Sequence, residues 1–268
     1  MPLDPLTAVV TGASGGIGRE LVRGLLQAGA TVLAVDMHDL SLESLKKQCD
    51  SGRLHCMAID LAGGDSAGQV VAQALELMGR IDLLVLNAGI GRATYATDIL
   101  DQPPRAWEVV PEHWRRFFDV NALAGILLAN AAVPSMVERG SGRIVAVTTS
   151  LDSMLVGGTG PYGPSKAALE AYCAVLGAEV APLGIDVNVL IPGGPVDTAM
   201  IPAAPGLERS ALLPPSVMVA PLLWLAGPAA RGTHLRRFRA DRWVPGQEGD
   251  PIAWSGLMGQ RRNPARSN

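Results

Sequence analysis

Lysine, tyrosine, cysteine and histidine are all scarce in this chain of 268 residues. It has three lysines, three tyrosines, three cysteines and four histidines, and aromatic residues make up 4% of it. Few aromatics beside 31 glycines argue against a β-sandwich and for tight turns with small-residue packing. Cys49, Cys56 and Cys173 are odd in number and form no C-x-x-C pair, so they read as reduced, mostly buried thiols of a cytoplasmic protein. His38, His55, His113 and His234 lie far apart with no metal-ligand spacing, and no metal is expected. The net charge is -3 and no basic stripe runs through the chain, which excludes nucleic acid as a partner. The short cluster LRRFR at 235–239 reads as a solvated strand or surface patch. The sequence opens without a basic region leading into an apolar one. Its longest apolar run, 121–134, contains two asparagines and is short for a bilayer, so no membrane partner is expected.

What the chain does have is apolar bulk. Hydrophobic residues amount to 48% and charged residues to 18%, enough for one large buried core. Val-, Ile- and Leu-rich runs at 7–12, 31–36, 54–60, 81–89, 142–150 and 185–192 alternate with helical patterns at 16–30, 41–50, 65–79, 111–138 (in one piece or two) and 162–181. Strands this continuously apolar are buried on both faces, as in a parallel sheet covered by helices. The predicted fold is α/β: a Rossmann-like, doubly wound parallel sheet in three α/β/α layers. Residues 1–245 are expected to form one domain. The Gly- and Pro-rich tail 246–268 is expected to be extended or to contact a neighbouring subunit.

The stretch TGASGGIG, 11–18, joins the first strand to the first helix. Gly12, Gly16 and Gly18 permit a sharp turn and let backbone N–H groups approach an anion at the helix N-terminus. Asp36 ends the second strand, where a carboxylate accepts hydrogen bonds from both ribose hydroxyls of an adenosine and repels a 2′-phosphate. Met37 beside it is uncharged, and no Lys or Arg precedes Arg19 in the loop. The expected cofactor is therefore NAD.

One of the three tyrosines and one of the three lysines stand four residues apart, Tyr162 and Lys166, with Pro164 between them. That spacing puts both on one helix face. Proline is tolerated only in a first turn, so the helix must begin just before it. A phenol titrates near pH 10, and a nearby ammonium is expected to lower that value.

With the glycine loop, Asn87-Ala88-Gly89 and Tyr162-x-x-x-Lys166 in this order, the sequence resembles the short-chain dehydrogenase/reductase family in its compact form, over about residues 5–240. The resemblance implies that Gly12, Ser14, Gly16, Ile17 and Gly18 hold a pyrophosphate. It places Asp60 and Leu61 beside the adenine, Asn87, Ala88 and Gly89 along the cofactor, and Pro192, Gly193, Val196 and Thr198 near the nicotinamide amide. Tyr162 is implied to be the proton-exchanging acid/base, and Lys166 to contact the nicotinamide ribose. Asn121 is implied to hold a relay water, and a hydroxyl after the fifth strand to bind the substrate oxygen. Most members carry serine at that last position; counting back from Tyr162 gives Thr149, with Ser150 the alternative.

The implied activity is NAD(H)-dependent interconversion of a secondary alcohol and a ketone by an oxidoreductase. The alternative is a non-catalytic NAD-binding sensor or scaffold of the same fold. The Gly-, Pro-, Leu- and Met-rich segments 91–95, 151–157 and 194–213 are expected to receive a moderately hydrophobic small-molecule substrate. Met154 and Met200 are read as substrate contacts or as packing, and Arg92 and Arg209 as surface residues or as recognising a substrate carboxylate. The Ala-rich helix 162–181 suggests close contact with another subunit, and a homo-oligomer, with a tetramer favoured, is expected.

Overall fold

The computed structural model describes residues 3, 5–95, 102–203, 206–247 and 249–252. Among these residues eight strands form one sheet: β1 (Thr7–Thr11), β2 (Thr31–Asp36), β3 (Leu54–Ala58), β4 (Leu83–Leu86), β5 (Gly142–Val147), β6 (Ile185–Ile191), β7 (Arg236–Arg239) and β8 (Asp250–Pro251). Their order is β3-β2-β1-β4-β5-β6-β7-β8. All neighbours pair in parallel except β7 with β8. The chain reverses its winding between β1 and β4, and crevices of ligand-binding folds open at such a switch point beyond the strands' carboxyl ends.

Among the described residues there are eight α-helices: α1 (Gly16–Gln27), α2 (Asp39–Cys49), α3 (Ser66–Met78), α4 (Pro111–Phe118), α5 (Ala124–Arg139), α6 (Leu151–Leu155), α7 (Tyr162–Val180) and α8 (Val219–Ala226). Alternation along each strand decides which layer a side chain meets. Ala8 and Val10 of β1 join one core with Leu21 and Leu25 of α1, Leu42 of α2 and Leu222 of α8. Val9, one residue away, joins the opposite core with Val70 of α3, Leu128 of α5 and Leu169 of α7.

Several boundaries differ from the sequence reading. β3 stops at Ala58 and β5 at Val147, each short of the predicted end, because the chain leaves the ladder to build the crevice. The helical stretch expected over 111–138 is in two pieces, as that reading allowed: α4 and α5 joined by a π-helical turn, Asp119–Leu123. Pro111 opens it at a position that needs no N–H, and Gly140 closes it with a left-handed φ of 65°. The joined helix, 29 residues, is long and apolar enough to cross a membrane by length and composition alone. One side of it, including Phe117, Leu128, Ala129, Ala132 and Met136, is buried inside the protein. α6 and α8 were not anticipated. Of the cysteines read as mostly buried, only Cys173 is buried; Cys49 and Cys56 are partly exposed.

The cluster LRRFR is corrected most. It forms β7, an interior strand in which Arg237 and Phe238 are buried. It is therefore no solvated patch. The described part of the tail adds β8 to the sheet edge; residues 253–268 lie outside the described residues.

Candidate active site

The phosphate loop is shaped by places where no side chain fits. Gly12 adopts φ +60°, and a Cβ on it would lie 2.8 Å from Ala88 Cα. A Cβ on Gly18 would lie 2.0 Å from the Gly12 carbonyl oxygen. The loop thereby folds tightly onto itself and onto the end of β4. Thr11 and Asn87 lock that junction. The Thr11 hydroxyl accepts from the backbone N–H of Asn87 and of Ala88, each at 3.0 Å. Asn87 Nδ2 donates to the carbonyls of Thr11 and Gly12 at 2.9 and 3.1 Å. No side chain caps the N-terminus of α1, and its first turn holds no acid. Its N–H groups and dipole are thus presented to an external anion, as a pyrophosphate site requires. Ile17 packs against the core behind the loop.

Asp36 reaches the same end of the crevice. Its carboxylate accepts from Ser14 N–H at 3.0 Å and from His38 N–H at 3.3 Å. Arg19 donates to the Ser14 carbonyl at 3.1 Å, so a guanidinium shares this corner. Asp60 lies two residues past β3. It accepts from Ala62 N–H at 3.0 Å and pairs with Arg116 of α4 at 3.3 Å. Leu61 lines a small cavity with Thr11, Ala88 and Asn121.

Across the switch point, α7 faces the exit of β5. Tyr162 is its first residue and half-buried, and Pro164 falls in the first turn. Lys166, one turn on, is buried, and its Nζ donates to the Val147 carbonyl at 3.1 Å. Burial pushes the Lys166 ammonium down to about 8, because a charge far from water is disfavoured. Burial also pushes the Tyr162 phenol up; a hydrogen bond with Thr149 and the charge of Arg92 pull it partly back. The expectation that Lys166 lowers the phenol therefore needs correcting for this structure. Desolvation dominates both groups, and the cation acting on Tyr162 is Arg92. That guanidinium also donates to the Gly158 carbonyl, which ties the segment after β4 to the approach of α7.

The two hydroxyls weighed after β5 separate. Thr149 acts on the Tyr162 phenol and draws its titration down. Ser150 caps α6, accepting from Ser153 N–H at 3.1 Å and sharing a hydrogen bond with the Ser153 hydroxyl at 2.8 Å. Asn121 sits in the π-helical turn, a distortion that often marks functional positions. Its side chain accepts from Ile90 N–H at 2.7 Å and donates to Ile90 O at 3.1 Å and to the Ser165 hydroxyl at 3.0 Å. The side chain thus braces the segment after β4 against α7. Gly89 lies at the centre: a Cβ there would be 3.0 Å from Lys166 Nζ and 3.2 Å from Asn121 Oδ1.

The segment after β6 closes over the phosphate loop. Gly193, at φ +96°, has no room for a Cβ beside the Asp241 carboxylate. Asp241 is held by Arg239 at 2.8 Å, and its N–H donates to the Pro192 carbonyl at 3.0 Å. Val196 is buried and bridges to Leu213, while the Thr198 methyl packs on Gly16. Arg209 is exposed, as the surface reading expects. It donates to Asp197 at 2.7 Å and to the Thr198 carbonyl at 3.0 Å. Met154 is buried packing, and half-exposed Met200 lies over Gly91.

Sequence reasoning missed Thr148, Ser165, Glu170 and Arg237, which brace the site from behind. Glu170 carried a signal, as an acid one turn beyond Lys166 in an otherwise apolar stretch of α7.

Comparison with known proteins supports the same conclusion. Residues 6–205 match the family model described as short chain dehydrogenase. A protein of Pseudocercospora fijiensis named as a short chain dehydrogenase is 32% identical over 71% of this chain, although the match spans only 60% of that protein's length. The 1-deoxy-11-beta-hydroxypentalenate dehydrogenase of Streptomyces exfoliatus is 34% identical over 75% of this chain and 71% of its own. The 3beta-hydroxysteroid dehydrogenase 2 of Eggerthella lenta is 30% identical, covering 70% of each chain. Among solved structures, a variant of the actinorhodin polyketide ketoreductase with NADPH aligns with a TM-score of 0.75. It is 25% identical, and the alignment covers 89% of this chain and 97% of that one. The chain belongs to the short-chain dehydrogenase/reductase family, whose fold binds a nicotinamide cofactor.

Proposed function

We propose that this chain is an NAD(H)-dependent dehydrogenase/reductase interconverting a secondary alcohol and a ketone, with Tyr162 as the general acid/base. The observation that carries this reading is the Tyr162 phenol at the start of α7, one turn before buried Lys166, with the Thr149 hydroxyl drawing its titration down. Tyr162 takes the alcohol proton in oxidation and returns one to the carbonyl oxygen in reduction. Thr149 donates to the substrate oxygen and, in the resting site, favours the phenolate. Lys166 holds a cation at the ribose side, and Asn121 fixes the segment carrying Gly89 and Ile90 beside it. The nicotinamide, when bound, supplies the hydride acceptor or donor.

NAD(H) is favoured by the Asp36 carboxylate at the ribose corner. A second reading, NADP(H), is favoured by Arg19 at the same corner and fits the NADPH of the ketoreductase. Dissociation constants for both cofactors separate them: tighter NADPH than NADH refutes the NAD assignment. Exposed Leu151, Leu155, Val156 and Met200 near the crevice support a moderately hydrophobic substrate. Exposed Leu123 and Leu127 on the α4–α5 helix and Val175 on α7 support a homo-oligomer, with a tetramer favoured. A cytoplasmic location is part of the same proposal. The test is a screen of purified protein with both cofactors against secondary alcohols and ketones, followed by NAD(P)H absorbance. Turnover supports the enzyme; nucleotide binding without turnover on any compound supports the sensor reading instead.

A further inference from the structure

Val147, the last residue of β5, and the two residues after it lie beside the candidate site; α7 grips the first two, and β7 the third. Lys166 Nζ donates to the Val147 carbonyl at 3.1 Å. The Thr148 hydroxyl donates to Glu170 Oε2 at 2.8 Å, with both groups buried. Glu170, fully buried, also faces Arg237 of β7, whose Nε lies 2.9 Å from Oε1. The same guanidinium donates through Nη2 to the Thr149 carbonyl. Tyr162, Lys166 and Glu170 follow one another at intervals of four along one face of α7.

A buried ion pair is seldom a gain in stability, because desolvation offsets the Coulomb attraction. What this pair does have is geometry. It fixes the side chain of Thr148 and the carbonyl of Thr149 on either side of one peptide link. Thr149 lies beyond the last ladder residue of β5, so the sheet itself no longer sets its orientation. A rotation there would swing the hydroxyl off the phenol.

We propose that Glu170 and Arg237 are positioning residues that lock the Thr148–Thr149 backbone, so that the Thr149 hydroxyl meets Tyr162 and the substrate oxygen. The inference rests on the enzymatic reading for its effect on turnover, but not for its effect on the phenol. They touch no reacting atom; their influence passes through Thr149.

The test is a double-mutant cycle of Arg237→Lys with Thr149→Ala. The first readout is alkaline titration of the Tyr162 phenol by ultraviolet absorbance, with neither cofactor nor substrate. The chain has three tyrosines, so subtracting the matching Tyr162→Phe protein isolates this one. Arg237→Lys should raise the phenol's titration point by at least half as much as Thr149→Ala does. In the Thr149→Ala background it should add nothing. The second readout is kcat, expected to fall about tenfold in the wild-type background and less than twofold in the other. Equal effects in both backgrounds, or none in either, overturn the proposal.

Glu170→Gln, which keeps shape, and the apolar pair Glu170→Met/Arg237→Met guard against misfolding. Each should reproduce the raised titration. If all the variants fold and Tyr162 titrates as in the wild type, the proposal is wrong. If none folds, the pair serves stability and the proposal is equally overturned. A wild-type protein without turnover would sink the enzymatic reading while leaving the titration to judge this one.

Discussion

The two sides of the crevice are built on opposite principles. On the β1–α1 side, the site is made of missing side chains: Gly12 and Gly18 let backbone meet backbone at distances that a Cβ forbids. On the β5–α7 side, it is made of buried polar side chains: Lys166, Asn121, Thr148 and Glu170 are all nearly or wholly withdrawn from solvent. The first side offers backbone N–H groups, which suit an anion without any titrating group. The second holds groups whose charge costs free energy to bury, so its energetics follow pH. A substitution on one side should act sterically at every pH, and on the other it should act through protonation.

The largest expected effect on that contrast comes from Gly18→Ala. Its Cβ would lie 2.0 Å from the Gly12 carbonyl, so the loop must shift. We expect a loss of about 1–3 kcal/mol in stability and nucleotide binding weakened at least about tenfold. Both losses should be the same at pH 6 and pH 9, by thermal denaturation and by titration calorimetry. A strong pH dependence would break the contrast.

Lys166→Met probes the other side. The folded Lys166 titrates at about 8, down from 10.5. Between those values the unfolded chain binds more protons, so stability contributed by this group rises with pH there; below about pH 8 the full cost is present. In nucleotide-free protein, the stability of wild type relative to Lys166→Met should therefore rise by about 3 kcal/mol from pH 8 to 10.5. A difference that stays flat across that window would show that the ammonium is not desolvated.

The smallest effect is expected from Arg209→Ala, in the exposed segment after β6. Its contacts to Asp197 and the Thr198 carbonyl are partly solvated and weak. The substrate KM should rise a few-fold with kcat nearly unchanged. A collapse of kcat would mean that this segment carries chemistry.

The same contrast explains what was readable in the sequence. Glycines spaced through a strand-to-helix turn are a local signal, and so is a Tyr–Lys pair around a first-turn proline. The α/β rhythm was equally legible, because buried parallel strands are continuously apolar. The Glu170–Arg237 pair was not, since it exists only once β7 pairs with β6 and turns Arg237 inward. Basic residues in LRRFR suggested solvent, and only the pairing reveals which of them faces inward. The choice between Thr149 and Ser150 likewise waited on α6, a helix of five residues whose cap consumes Ser150. Asn121 was found by its motif, but its hold on Ile90 and Ser165 depends on a π-helical turn that no periodicity announces.

The central claim is that the Tyr162 phenol exchanges the proton with substrate. Replacing it with phenylalanine, and measuring kcat on the best alcohol together with the nucleotide dissociation constant, tests this directly. We expect kcat to fall by about 10²- to 10⁴-fold with nucleotide binding nearly unchanged. Turnover equal to that of the wild type would contradict the account.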